Sequence, residues 1–148
     1  MIEIRGLRAE DHAAWLPLWQ GYQRFYKVDI PAEVGETAWR RMLDEAEPMW
    51  GALAVADGQA LGFAHYVRHR TTWAVGDYCY LNDLYVDEAA RGRGVGRALI
   101  AHVGEEARRL GCSRVYWLTH ETNAEARRLY DGVAERSGFI EYGKGLDP

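Results

Sequence analysis

Three glycines at every second position, Gly92, Gly94 and Gly96, alternate with Arg91, Arg93 and Arg97 between an apolar run and a helical one. Glycine lets a backbone approach a ligand closely and turn successive N–H groups inward. A helix that opens there aims its positive dipole end at the same spot. The arginines add fixed positive charge at the rim. The chemistry that such a layout serves is anion binding, and a pyrophosphate is its natural occupant. Spacing excludes two common nucleotide motifs. A dinucleotide fingerprint needs G-x-G-x-x-G, and here the third glycine falls one position early. A P-loop ends in G-K-[ST], and Lys27 and Lys144 lie elsewhere. The plain alternative is a turn for tight strand-to-helix packing with solvated arginines; the strand-then-helix context weighs against it.

The elements that must position this cradle are readable along the chain. Residues 2–7 alternate weakly as a first strand. Trp15, Leu18, Trp19, Tyr22 and Tyr26 recur at helical spacing after the capping candidate Asp11, with Pro17 implying a kink or a late start. A second helix is expected over about 32–46, from Pro31 to just before Pro48. GALAVA and LGFAHYVRHR, separated by Asp57-Gly58, read as a hairpin, and residues 78–86 as the next strand. His65 and His69 fall on one side of the hairpin's second strand, as surface or wall residues. After the glycines, Val95, Leu99, Val103, Ala107 and Leu110 form one helical stripe closed by Gly111. RVYWLTH reads as a buried strand. Thr122 and Glu125 read as a capping box before a helix whose apolar stripe is Ala126, Leu129, Tyr130 and Val133, and residues 138–142 as a last strand. The order β-α-α-β-β-β-α-β-α-β describes an α/β chain with a mixed sheet, helices on both faces and the cradle at the end of a central strand.

The whole-chain properties narrow the function. A chain of 148 residues suits one domain with a real core. A net charge of -4 argues against a nucleic-acid partner. Cys79 and Cys112 make no spacing pattern, so neither a disulfide framework nor a zinc site is expected. Neither a secretory signal nor a long apolar run is visible, which points to a cytoplasmic protein without a membrane partner. The aromatic first helix, with Trp73 and Tyr78, would suit a cationic acceptor through cation–π contact, although core packing explains most of its members.

DLYVDEAARGRGVGRALI resembles motif A of the GNAT superfamily of N-acetyltransferases, in which R/Q-x-x-G-x-G/A follows a strand; here it reads Arg91-Gly92-Arg93-Gly94-Val95-Gly96. TNAEARRLY resembles motif B, with its N…A…LY. The element order agrees over nearly the whole chain, taken as a single domain with a mostly antiparallel GNAT-type sheet. CYLNDLYVDEAARGRG and VYWLTHETNAEARRLYD look most like the histone and polyamine (diamine) acetyltransferase branch.

The resemblance implies acetyl-CoA as donor, no metal, and a primary amine as acceptor: a polyamine, a small basic metabolite, or a polypeptide lysine or N-terminus. It implies that the amides of residues 91–96 hold the pyrophosphate, with Arg97 at the rim. Pantetheine would lie like an extra strand beside Leu84, Tyr85 and Val86, where the fourth and fifth strands splay apart, with Asn123 and Ala126 lining the arm from the other side. Tyr130 matches the motif-B tyrosine read as general acid, and the N–H of Leu84 or Tyr85 would serve the oxyanion. Where the diamine branch carries two adjacent acidic residues, this chain has Asn82-Asp83. Asp83 is then either the base or the anchor of a cationic acceptor, with Asp87, Glu88, Glu121 and His120 as alternatives. A homodimer is also implied. The competing reading is a catalytically silent acyl-CoA-binding or sensing module; Tyr130 speaks against it and Asn82 for it.

Overall fold

The computed structural model describes residues 1–146 and divides into two compact units, residues 1–118 and a second beginning at Thr119. The first unit holds β1 (Glu3–Gly6), α1 (His12–Tyr26), α2 (Ala32–Leu43), β2 (Met49–Ala56), β3 (Gln59–His69), β4 (Asp77–Val86), α3 (Val95–Arg109) and β5 (Cys112–Tyr116). Its sheet runs β1-β2-β3-β4-β5, antiparallel except for the parallel β4–β5 pair. The β2–β3 connection is the expected tight hairpin. Asp57 and Gly58 both take positive φ (51° and 77°), the pairing whose twist matches that of the flanking strands.

Each sheet face carries its own core. On one side Val95, Leu99, Val103 and Ala107 of α3 pack with Ala64, Tyr66, Cys79 and Leu81. On the other, Trp15, Trp19, Trp39 and Met42 of α1 and α2 pack with Leu53 and Phe63. Strand alternation explains the partition, with one exception that matters for function. Opposite β3, the register jumps from His65↔Asp83 to Tyr66↔Leu81, so Asn82 is an extra residue in β4. Such a bulge shifts the side-chain parity of the strand. Leu81 stays in the α3 core, while Asp83 turns to the α1 face instead of sharing Leu81's side.

Several boundaries differ from the sequence reading. α2 stops at Leu43, because the Asp44 carboxylate accepts the Ala46 N–H (2.9 Å) and opens a turn before Pro48. α1 runs through Pro17, and Asp11 does not cap it; its carboxylate instead takes the Arg8 N–H and a bidentate pair with Arg5. β5 begins two residues early, ends at Tyr116 and is half-exposed rather than buried. Residues 138–142 form no strand. Their apolar alternation meets no neighbouring backbone edge among the described residues, Gly138 sits at φ 86°, and Phe139, Ile140 and Tyr142 remain exposed.

The second unit contains α4 (Ala124–Val133). Its N-cap is Asn123, whose side chain accepts the Ala126 N–H (3.4 Å), and not Thr122 of the expected capping box. Leu129, Tyr130 and Val133 form the half-buried stripe.

Candidate active site

Residues 91–96 make a cradle out of backbone. Gly92 and Gly94 take φ of 79° and 80°, a left-handed geometry that costs glycine nothing. An added Cβ at either position would meet nothing within 4 Å, so the space in front of the loop is open. Gly94 is the N-cap of α3 and supplies no side-chain cap. The first intrahelical bond there runs from the Ala98 N–H to the Gly94 carbonyl (3.0 Å). The N–H groups of Val95, Gly96 and Arg97 therefore have no acceptor within the helix. Uncapped donors at a helix N-terminus, facing open space, fit a phosphate group. Val95 contributes backbone only, since its side chain is buried in the α3 core. Arg93 and Arg97 are partly or fully exposed at the rim.

Arg91 departs from the expected cradle role, because its backbone N–H already donates to the Glu88 carbonyl (3.3 Å). Its Nε donates to the Val86 carbonyl (3.1 Å), and its guanidinium lies over the Phe25 and Tyr85 rings at 5.1 and 5.8 Å. It ties the cradle to α1 and to the end of β4. Gly21 makes room on α1 for Tyr85, since a Cβ there would come 2.6 Å from the Tyr85 hydroxyl.

The expected splay is present. Parallel pairing of β4 with β5 ends at Tyr80↔Tyr116, while β4 continues to Val86. Leu84, Tyr85 and Val86 thus border an edge with no ladder partner on the β5 side among the described residues. Such an edge offers N–H and C=O groups to an extended ligand.

Beside that edge, on the α1 face, is a group of side chains brought together from three elements. The Tyr22 hydroxyl donates to Asp83 Oδ1 (2.6 Å), and Asn82 Nδ2 donates to the same oxygen (3.3 Å). His65 Nδ1 lies 2.9 Å from Asp83 Oδ2, and Trp15 Nε1 lies 3.0 Å from His65 Nε2. An indole N–H can only donate, so His65 Nε2 accepts and the ring proton sits on Nδ1, donating to Asp83. Trp15 is fully buried, and the Asp83 side chain is 13% exposed. Burial, with Asp83 alongside, raises the Tyr22 phenol well above its ordinary value of 10.0, so Tyr22 remains a donor. Three donors thus fill most of the carboxylate's acceptor capacity, leaving a partly open anion aimed at the α1 face.

Sequence reasoning missed His65, and it named Tyr22 only among the first-helix aromatics suited to a cationic acceptor, without its bond to Asp83. His65 is neither surface nor simple wall. No local signal marks it, because its partnership with Asp83 depends on the bulge. Of the alternative bases, Asp87, Glu88, Glu121 and His120 are exposed, and Glu121 lies 3.8 Å from Arg136. Cys79 and Cys112 are both free, and burial pushes the Cys79 thiol up to about 12, which makes it a small apolar side chain. A groove of about 480 Å³ lies between α1 and α2; in its lining His12 pairs with Glu36, and Gln23 bonds the Trp19 carbonyl and the Ile30 N–H. No helix is long and apolar enough to cross a membrane, and no cluster of three or more metal-ligating side chains occurs, among the described residues.

Comparison with known proteins agrees with this geometry. The acetyltransferase (GNAT) family matches residues 12–133. The D-amino-acid N-acetyltransferase HPA3 of Saccharomyces cerevisiae is 43% identical over 95% of this chain and 89% of its own length. The thialysine N-epsilon-acetyltransferase of Mus musculus is 28% identical over 94% of this chain and 89% of its own. The fold matches that of AAC(6')-Iy in complex with the bisubstrate analog CoA-S-monomethyl-acetylneamine, with a TM-score of 0.86 at 20% identity over 99% of both chains. A silent binding module gives way before these relatives. Cradle, open strand edge and near full-length similarity to N-acetyltransferases together make this chain a member of the GNAT acetyltransferase family, an enzyme that N-acetylates amino groups.

Proposed function

We propose that the protein transfers the acetyl group of acetyl-CoA to a small primary amine by direct attack. The observation that carries this reading is the placement of Asp83. The bulge at Asn82 turns an anion onto the α1 face, at the strand edge left open by β5 and one short loop before the uncapped cradle. The cradle amides and the α3 N-terminus hold the pyrophosphate of the donor, and the edge of residues 84–86 pairs with its pantetheine arm. The amine arrives as an ammonium ion anchored by Asp83. Tyr22, His65 and Asn82 already occupy three of that carboxylate's acceptor positions, so it serves as anchor, and the ammonium proton leaves to water. The free nitrogen then attacks the thioester carbon. An N–H of Leu84 or Tyr85 stabilises the oxyanion, the C–S bond breaks, the departing thiolate takes the phenolic proton of Tyr130, and the acylated nitrogen gives up its second proton, which restores the phenol through water. The products are the N-acetyl amine and free CoA. Tyr130, Asn123 and Ala126 carry these roles on their match to motif B, and similarity to a D-amino-acid acetyltransferase supports amino acids among the acceptors.

The test is thiol release from acetyl-CoA across a panel of amino acids, monoamines and diamines, with products identified by mass. Amine-dependent release with a matching N-acetyl product is expected. Tight CoA binding with no release above the buffer rate for every amine would refute the proposal.

A further inference from the structure

The sheet face next to Asp83 carries a group of rings that neither core uses. Tyr78 and Tyr80 stand on the same face of β4 as Asp83, because the bulge restores that parity; their partners Val67 and His69 share the face with His65. Tyr116 of β5 stacks on Tyr80 with ring centres 5.0 Å apart and planes at 25°. Its ring stands edge-on to Tyr78 and His69, at 6.2 and 5.7 Å. His69 holds it in place. Its Nδ1 lies 2.7 Å from the Arg70 carbonyl, which can only accept, so the neutral ring carries its proton there and Nε2 accepts from the Tyr116 hydroxyl (2.7 Å). All four rings are half-exposed. They form an aromatic floor that begins at the Tyr80↔Tyr116 pair, where the β4–β5 gap opens. At its far end the Arg114 guanidinium lies 5.9 Å over the Tyr78 ring, and Asp77 is already paired with Arg68 and Arg70.

We propose that this floor seats the acceptor's side chain and selects aryl or large apolar amines over cationic ones. The inference rests on the reading of Asp83 as the amine anchor. An amine held there directs its substituent along β4 toward Tyr80, roughly two strand steps or about 7 Å away. That span suits a ring carried one or two carbons from the amine. Fixed tyrosines offer such a ring offset stacking at little ordering cost. A second positive charge carried further along the floor meets Arg114 instead of a free carboxylate, and the outer ring already carries that guanidinium as its cation.

The experiment measures KM for phenylalanine, alanine and arginine, each as both enantiomers, at saturating acetyl-CoA. For the preferred enantiomer, phenylalanine is expected to show a KM at least tenfold below alanine and below arginine. Tyr80→Ala should bring the phenylalanine-to-alanine ratio to within about twofold of unity, Tyr80→Phe should preserve it, and Arg114→Glu should lower the KM for arginine several-fold. Circular dichroism checks that each variant is folded. A wild-type KM lower for arginine than for phenylalanine, or a ratio untouched by Tyr80→Ala, overturns the proposal. If no amine is acetylated, it is the transferase reading that has failed. Calorimetry of phenylalanine and alanine on the CoA-loaded protein then decides the floor separately: preferential binding of phenylalanine that is lost in Tyr80→Ala upholds it, and equal binding refutes it.

Discussion

In the proposed reaction the cradle and the Asp83 group serve different halves, and they are made differently. The cradle is a run of consecutive residues that offers backbone N–H groups, with two left-handed glycines and an uncapped helix end supplying the geometry. The Asp83 group is assembled from α1, β3 and β4, with partners 18 and 61 positions away in sequence, and offers a largely buried carboxylate held by side chains. Backbone recognition suits a phosphate, which is the same in every turnover. Side-chain recognition suits the acceptor, the part in which related enzymes differ.

That contrast can be broken from either side. The largest effect belongs to Gly94→Asp, which puts a Cβ on a left-handed residue and a negative charge at the proposed diphosphate site. Calorimetry should show CoA binding weakened at least ~100-fold, with the fold retained. Unaltered affinity would mean that the pyrophosphate lies elsewhere. Next comes Tyr130→Phe, expected to lower kcat about 100-fold, the usual scale of general acid catalysis, with CoA affinity within about threefold of wild type. Loss of CoA binding instead would make Tyr130 structural. His65→Phe keeps a flat ring but leaves the Trp15 N–H buried without its acceptor and removes one donor from Asp83. It should raise the amine KM about tenfold and cost roughly 1–3 kcal/mol of stability by denaturant unfolding, with CoA binding unchanged.

The smallest effect lies outside the site. The bidentate bond from Arg5, the first cause, and the Arg8 N–H hold the Asp11 carboxyl below its ordinary 3.8 despite burial. A depressed folded-state value means that the stabilisation is fully present above about 3.8 and lost as pH falls through the folded value. Asp11→Asn should therefore cost about 2 kcal/mol at pH 7, and the gap from wild type should close in acid. Thermal melts from pH 7 to pH 2 measure it.

The same contrast explains what was legible in the sequence. Cradle, hairpin turn and α3 stripe are local. Gly92, Gly94, Asp57-Gly58 and the Val95–Leu99–Val103–Ala107 spacing each state their own geometry, and the structure agrees with them. Tyr22 and His65 looked like an ordinary stripe residue and a strand histidine, because their meeting with Asp83 is decided by one extra residue in β4. A bulge has no spelling of its own; Asn82 reads like any polar residue in a strand. The last strand failed for the converse reason. Residues 138–142 have the alternation, but a strand also needs an edge to pair with, and that information is not local.

The central claim is that Asp83 anchors the acceptor and takes no part in holding the donor. Its most direct test is the amine KM of Asp83→Asn at saturating acetyl-CoA. The account predicts a rise of roughly 30-fold or more, the scale of losing a buried charge pair, with the dissociation constant for CoA unchanged. An unchanged amine KM with the loss confined to kcat would make Asp83 the base and contradict the account.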